Sequence, residues 1–284
     1  MARRKRRLSQ AALADRYELY QRAVQNPELE VALLEQFYRE AFGARARPRT
    51  LREDFCGTAW LAATWSASHP RRRAWGVDLD PEPLEWGRVH NLPRLGPSVM
   101  RRVTLLQGDV RQVETPGADI VCALNFSFCA LQRRSALLDY FRHARNQLAP
   151  RGLLVLDLLG GTATWDVAED VREVDDSGIF YYWEQAEFDV LSHHMLAHIH
   201  FEFPDGSRLE QAFSYHWRLW TLPELRDLLH EAGFAEVRFY NEVFEEGEDE
   251  EYLSPTGRYQ RVERMENQEA WVVYIVALNA RGGE

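Results

Sequence analysis

Between residues 51 and 159 short apolar runs alternate with helical stretches, and this alternation restricts the fold more than any other feature of the chain. LREDF (51–55), AWGVD (74–78), VTLLQ (103–107), DIVCALN (119–125) and LLVLDLL (153–159) read as strands. The stretches 58–68, Pro83–Asn91 and 133–148 read as helices, the last closed by Pro150 and Gly152. Strand-sized apolar runs separated by helices describe a parallel sheet covered on both faces, an α/β architecture.

The flanking regions break this rhythm. Residues 11–42 carry apolar side chains at helical spacing (Leu13, Tyr17, Tyr20 and Val24, then Val31, Leu34, Phe37 and Tyr38), and Asn26-Pro27 divides them into two helices. A Gly/Arg/Pro linker follows at 43–50. From about 170 to 220, FYYWEQAEF, HMLAHIHFEF and RLEQAFSYHWRLW alternate with period two and have no helix between them, and Asp205-Gly206 marks a tight hairpin. This segment is expected to be an antiparallel insertion over 178–220. A helix at Leu222–Ala232, stopped by Gly233, leads to strands AEVRFY (235–240) and WVVYIVAL (271–278), with an acidic surface loop from Glu245 to Glu251 between them. The expected organisation is thus a basic, disordered tail at 1–10, a helical cap at 11–45, and one α/β domain at 46–284 that carries the insertion.

Composition narrows the class of function. The 284 residues carry 34 Lys+Arg against 44 Asp+Glu, a net charge of −10, which argues against a protein whose main task is to wrap a phosphate backbone. The run Arg3, Arg4, Lys5, Arg6, Arg7 reads as a solvated tail. No apolar run reaches the roughly 20 residues of a membrane span, and the start has no signal-peptide stretch. Three cysteines, Cys56, Cys122 and Cys129, without C-x-x-C spacing suggest reduced thiols and a cytoplasmic setting.

In an open parallel sheet, ligands bind at the carboxyl ends of the strands, so the residues that end each strand are the candidate site. The first strand ends EDFCGTA (53–59), where Gly57 permits a tight turn and Thr58 opens a helix whose N-terminus can receive a carboxylate. The second ends with Asp78, 25 residues after Glu53 and placed like an acid that grips ribose hydroxyls. The third ends at Gly108-Asp109 and the fourth at Asn125-Phe126-Ser127. A dinucleotide site would want three glycines to admit a pyrophosphate, and G-x-S-x-G is absent, so neither a dehydrogenase nor a hydrolase is supported.

Over about 48–278 the sequence resembles the class I S-adenosylmethionine-dependent methyltransferases. EDFCGTA is similar to the family's first motif, with Phe55 and Ala59 standing where its first and third glycines stand; GVDLDPEPLEWGR is similar to the second, GDV (108–110) to the third, QLAPRGLLVLD to the fifth-strand entry, and LLHEAGFAEVRFY to the helix and sixth strand. The resemblance implies a Rossmann-like, seven-stranded, mostly parallel sheet of order 3-2-1-4-5-7-6 with the last strand antiparallel. It also implies S-adenosyl-L-methionine as cofactor. Glu53 would orient the amino end of the methionine part, and the backbone at Cys56, Gly57 and Thr58 would meet its carboxylate. Asp78 would take the ribose hydroxyls, Leu79 cover the adenine, Asp109 accept from the adenine amino group, and Val110 offer its N–H to a ring nitrogen. Asn125 and Ser127 would face the methyl group.

Tyr20, on an aromatic and amide-bearing face with Gln21 and Gln25, is expected to close over the cofactor. The aromatic insertion is expected to be a substrate lid in which Tyr215, Arg218 and Trp220 meet the acceptor, and Arg218 would pair an acidic group. His193, His194, His198 and His200 have no carboxylate or cysteine obviously beside them, and no metal is expected. The expected activity is methyl transfer to oxygen or nitrogen of a small molecule, with neither membrane nor nucleic acid as partner; a homodimer is compatible with the sequence. Methylation of protein or RNA, and a catalytically silent binding module, remain alternatives.

Overall fold

The strands that carry nearly unbroken apolar runs lie where both faces of a sheet are covered. The computed structural model describes residues 8–246 and 253–279. Its helices are α1 (Gln10–Leu13), α2 (Arg16–Val24), α3 (Pro27–Phe42), α4 (Trp60–Ser68), α5 (Pro81–Arg94), α6 (Pro97–Met100), α7 (Arg134–Asn146) and α8 (Leu222–Glu231). Its strands are β1 (Thr50–Asp54), β2 (Arg73–Asp78), β3 (Val103–Gln107), β4 (Ala118–Ala123), β5 (Leu148–Gly160), β6 (Ala168–Val174), β7 (Ile179–Asp189), β8 (His194–Glu202), β9 (Arg208–Arg218), β10 (Glu236–Glu246), β11 (Leu253–Val262) and β12 (Trp271–Leu278). The chain divides into two compact units, Met1–Asn26 with Trp165–Leu219 and Pro27–Thr164 with Trp220–Glu284. The expected cap at 11–45 is therefore divided: α1 and α2 belong to the first unit and α3 to the second. The basic run Arg3–Arg7 and most of the acidic loop lie outside the described residues.

The second unit holds a sheet of order β11-β10-β12-β5-β4-β1-β2-β3. Strands β1 to β5 pair in parallel, and β12 runs antiparallel to both β5 and β10. Seven of these strands follow the expected 3-2-1-4-5-7-6 order. The expectation of seven strands is corrected by an eighth, β11, which pairs antiparallel with β10 at the sheet edge. Its LSPTGRYQRV sequence has the proline, glycine and charge of an edge strand rather than an apolar run, so periodicity passes over it. Leu34, Phe37, Leu51, Trp65, Ile120, Leu153, Val155, Tyr240 and Val276 share one core. Gly87 is required where α5 meets the turn before α4, because a Cβ there would lie 2.2 Å from the Thr58 carbonyl oxygen. The Asn91 amide donates to the same oxygen at 2.9 Å.

The first unit is an antiparallel sheet of order β6-β7-β8-β9 packed with α1 and α2. The sheet runs from Ala168 to Arg218, so the insertion starts earlier than 178. The added strand β6 reads AEDVREV and is exposed along all but its last residue, an edge strand without an apolar signature. The Asp205-Gly206 hairpin forms as expected, with Gly206 at φ 75°. Asp205 also accepts the Gln10 N–H at 2.9 Å, a carboxylate placed at the start of α1. Tyr181, Phe201, Phe203 and Trp217 are buried, so the alternating aromatics of this segment largely build its own core.

Candidate functional site

The candidate site of the parallel-sheet unit is built on the turn that leaves β1. The strand stops at Asp54, and Phe55, Gly57 and Ala59 are all left-handed, at φ 56°, 51° and 53°. Two of these positions carry side chains, each at a cost of about 1–2 kcal/mol relative to glycine. This corrects the sequence reading at two points: Phe55 is a turn residue rather than the end of the strand, and the helix opens at Trp60, not Thr58. Ala59 is completely buried, and the Phe55 ring packs edge-on against Tyr140 at 5.7 Å. Cys56 is buried against the turn, and burial holds its thiol well above the usual range, which makes it a packing residue.

Glu53 and Asp78 hold this turn from two sides. Glu53 Oε2 accepts the Ala62 N–H at 2.8 Å, inside the first turn of α4. Asp78 Oδ2 accepts the Gly57 N–H at 2.7 Å, and its Oδ1 accepts the Asp80 N–H at 2.9 Å. Burial raises both carboxyls. Leu79, the next residue, is 70% exposed, an apolar side chain standing open beside the Asp78 carboxylate. On the neighbouring strand end, Asp109 is grasped by Arg111 through Nε at 2.9 and 3.1 Å and Nη2 at 2.5 Å, which lowers its carboxyl below the usual range. Val110 is buried.

The end of β4 is a second strained turn. The strand stops at Ala123, and Asn125 and Phe126 are left-handed at φ 56° and 59°. Their N–H groups donate to Asp157 Oδ2 and Oδ1, both at 2.9 Å. Ser127 opens the short 3₁₀ turn that follows, and its Oγ is buried without a hydrogen-bond partner among the described residues.

Three functional candidates escaped the sequence reading. Asp157 is the single acid in the apolar strand LLVLDLL and is pushed up to about 7 by burial, against the pull of its two N–H donors. Glu30, on α3, is 8% exposed and is pushed up to about 8 by burial, then by Asp157 and Glu28. Glu30 also raises Glu53, so the three carboxyls share one electrostatic environment. Arg52, fully buried in β1, donates from Nε to Asp54 Oδ1 at 2.7 Å, from Nη1 to the Val113 carbonyl at 2.7 Å and from Nη2 to the Val110 carbonyl at 3.1 Å. The available signals were a lone acid in an apolar strand and an Arg-x-Asp alternation inside another.

Other sequence candidates lie in the first unit. Tyr20 packs against Phe213 with ring centroids 4.9 Å apart, and Tyr215 stands between Trp183 and Trp217 at 5.8 and 4.5 Å. Arg218 closes β9. Trp220 is corrected: it lies beyond β9, buried, and belongs to the parallel-sheet unit with α8. The reading of the histidines is also corrected, because cross-strand pairing brings carboxylates to His200. Its Nε2 lies 2.9 Å from Glu184 and its Nδ1 2.5 Å from Glu210, while His198 bonds the Ser214 hydroxyl at 2.8 Å. No group of three or more metal-ligating side chains is found among the described residues.

This sheet order is the Rossmann-like fold of the class I S-adenosylmethionine-dependent methyltransferases. Solved structures agree. An S-adenosylmethionine-dependent methyltransferase from Clostridium acetobutylicum is similar at a TM-score of 0.65 and 17% identity, over 92% of this chain and 97% of that one. An amino pentose methyltransferase of calicheamicin biosynthesis from Micromonospora echinaspora, solved with S-adenosylmethionine bound, is similar at 0.61 and 19%, over 97% and 100%. A sugar N-methyltransferase from a Streptoalloteichus species gives 0.59 and 19%, over 98% of each chain. At these identities the likeness is one of fold. No protein-family profile matches the sequence, and no curated protein does.

Proposed function

We propose that the protein is an S-adenosylmethionine-dependent methyltransferase that methylates oxygen or nitrogen of a small molecule. The observation that carries this reading is the paired placement of Glu53 and Asp78 around the left-handed turn Phe55–Ala59. Asp78 would receive the ribose hydroxyls, with exposed Leu79 against the adenine, while Asp109 and the Val110 N–H would take the adenine edge. The donor set fits its ligand in charge. Glu30, Glu53 and Asp157 are buried carboxyls, and a ligand bearing an ammonium and a sulfonium would offset the cost of ionising them.

When bound, S-adenosylmethionine supplies an electrophilic methyl group on a sulfonium. The chain has to fix the reacting atoms in line and exclude water, which requires position more than acid–base chemistry. Asp157 would hold the Asn125–Phe126 turn so that Asn125 and the unpaired Ser127 hydroxyl face the reacting centre. Two of the similar structures are named for an amino pentose and a sugar nitrogen, which makes amino sugars the first acceptors to try. Calorimetric titration with S-adenosylmethionine, followed by radiolabelled methyl transfer to amino sugars, hydroxylated small molecules, peptide and RNA, tests the reading. Absence of binding would refute it; binding without transfer to any acceptor would favour a silent module, and transfer to peptide or RNA the macromolecular alternative.

A further inference from the structure

A buried arginine rarely donates to several backbone carbonyls of one loop unless that loop has to be held in shape. Arg52 does this from the middle of the sheet. Its guanidinium reaches across to the segment after β3, where Nη2 meets the Val110 carbonyl at 3.1 Å and Nη1 meets the Val113 carbonyl at 2.7 Å and Thr115 Oγ1 at 3.4 Å. Its charge is matched by Asp54, which accepts from Arg52 Nε at 2.7 Å and from the Tyr140 hydroxyl at 3.1 Å. His143 Nε2 makes a further contact of 2.9 Å to the Val113 carbonyl. Arg52, Asp54 and Tyr140 are at most 1% exposed, so their mutual bonds and the bond to the Val110 carbonyl are made without competing water.

The loop is compact for its own reasons. The Asp109 carbonyl accepts from Gln112 and Val113 N–H at 2.9 and 3.0 Å, and a Cβ on Gly108 would lie 2.6 Å from the Val113 side chain. Those bonds fix the turn but not its position relative to β1. That position is set by the guanidinium, whose planar fork meets three acceptors in an arrangement lysine would not reproduce, together with His143 on the Val113 carbonyl and Gln147 Oε1, which accepts the Thr115 N–H at 2.7 Å.

We infer that Arg52, held by Asp54 and Tyr140, is a positioning residue that sets the 109–115 loop so that Asp109 and the Val110 N–H read an adenine edge. The inference rests on the proposed function and extends it to nucleobase selection. Val110 is the link: the carbonyl that Arg52 holds belongs to the same residue whose N–H would face the ring. An adenine amino group donates to Asp109, whereas the oxygen of hypoxanthine at the same place would face the carboxylate as a second acceptor. A fixed loop therefore discriminates, and a loosened one does not.

The test compares calorimetric affinities for S-adenosylhomocysteine and S-inosylhomocysteine in the wild type and in Arg52→Lys. The wild type is expected to prefer the adenine compound by about tenfold or more, the scale of one hydrogen bond to a charged group. Arg52→Lys should bring the ratio close to one, mostly by weakening the adenine compound. Partial unfolding lowers both affinities alike and leaves their ratio untouched, so a merely structural role would not produce this result. Should Arg52→Lys not fold, Tyr140→Phe removes only the hydroxyl on Asp54 and is expected to lower the ratio about two- to fivefold. A wild-type ratio retained in the folded variant overturns the inference while the proposed function stands. A wild type that binds neither compound refutes the proposed function and the inference with it.

Discussion

Asp78→Ala probes the proposed cofactor site, and because the residue also has a role in the turn, the two effects have to be separated. The proposed ligand role is as acceptor for two ribose hydroxyls. Its loss is worth about 1.5–3 kcal/mol, or roughly 10- to 150-fold in affinity. The structural role is smaller. Alanine leaves the Gly57 and Asp80 N–H groups without their acceptors, both now 2.7–2.9 Å from carboxylate oxygens. That costs about 1 kcal/mol, partly offset because a half-buried charge whose carboxyl is raised by burial is also removed. Asp78→Asn separates the two roles: its one remaining oxygen can serve the Gly57 N–H or a hydroxyl but not the full set, so its affinity should fall between wild type and alanine. Titration with S-adenosylmethionine, alongside thermal melts by circular dichroism, gives both quantities. An alanine variant that melts within a few degrees of wild type and binds within twofold would show that the ribose site lies elsewhere.

The remaining predictions concern stability. Gly87→Ala should destabilise by about 2 kcal/mol or more, since its Cβ would sit 2.2 Å from the Thr58 carbonyl oxygen; denaturant unfolding within 0.5 kcal/mol of wild type would contradict the close approach. Thr221→Ala removes a capping box on α8, with Thr221 and Glu224 bonded reciprocally, and should cost about 0.5–2 kcal/mol in the same assay. Stability should fall as pH rises from about 4 to about 8. In that range Glu30, raised from 4.5 to about 8, and Asp157, raised from 3.8 to about 7, keep in the folded state protons that the unfolded chain has released. Each group contributes a slope of up to about 1.4 kcal/mol per pH unit, and Glu30→Gln should remove its slope across about pH 5 to 8, leaving between 7 and 8 little of the dependence because Asp157 has by then largely released its proton. A Gln variant with the wild-type profile would remove Glu30 as the cause.

How much of the molecule could be read from its sequence differs element by element. The apolar run at 271–278 is a strand at those same residues, because a strand covered on both faces has to be apolar almost throughout, and the runs at 74–78 and 103–107 match β2 and β3 to within one residue. Edge strands carry no such requirement: AEDVREV and LSPTGRYQRV form β6 and β11 by pairing with a neighbour's backbone, and no side-chain pattern announces that. Chain order also showed that Glu53, Gly57, Asp78, Asp109 and Asn125 lie at or just beyond strand ends, since position along a strand is a local property.

Burial, charge environment and backbone strain are not local. That Glu30 on a distant helix acts on Asp157 and Glu53, that Asp157 closes the turn after another strand, and that Arg52 reaches carbonyls at 110 and 113 all depend on which segments the sheet brings together. Phe55 and Ala59 show the same division. The sequence by itself marked a turn around Gly57, while the packing of Ala59 in the core and of Phe55 on Tyr140 decided that both flanking residues would also be left-handed. A local preference of about 1–2 kcal/mol is overridden whenever tertiary contacts supply more, and those contacts exist only once the chain has folded.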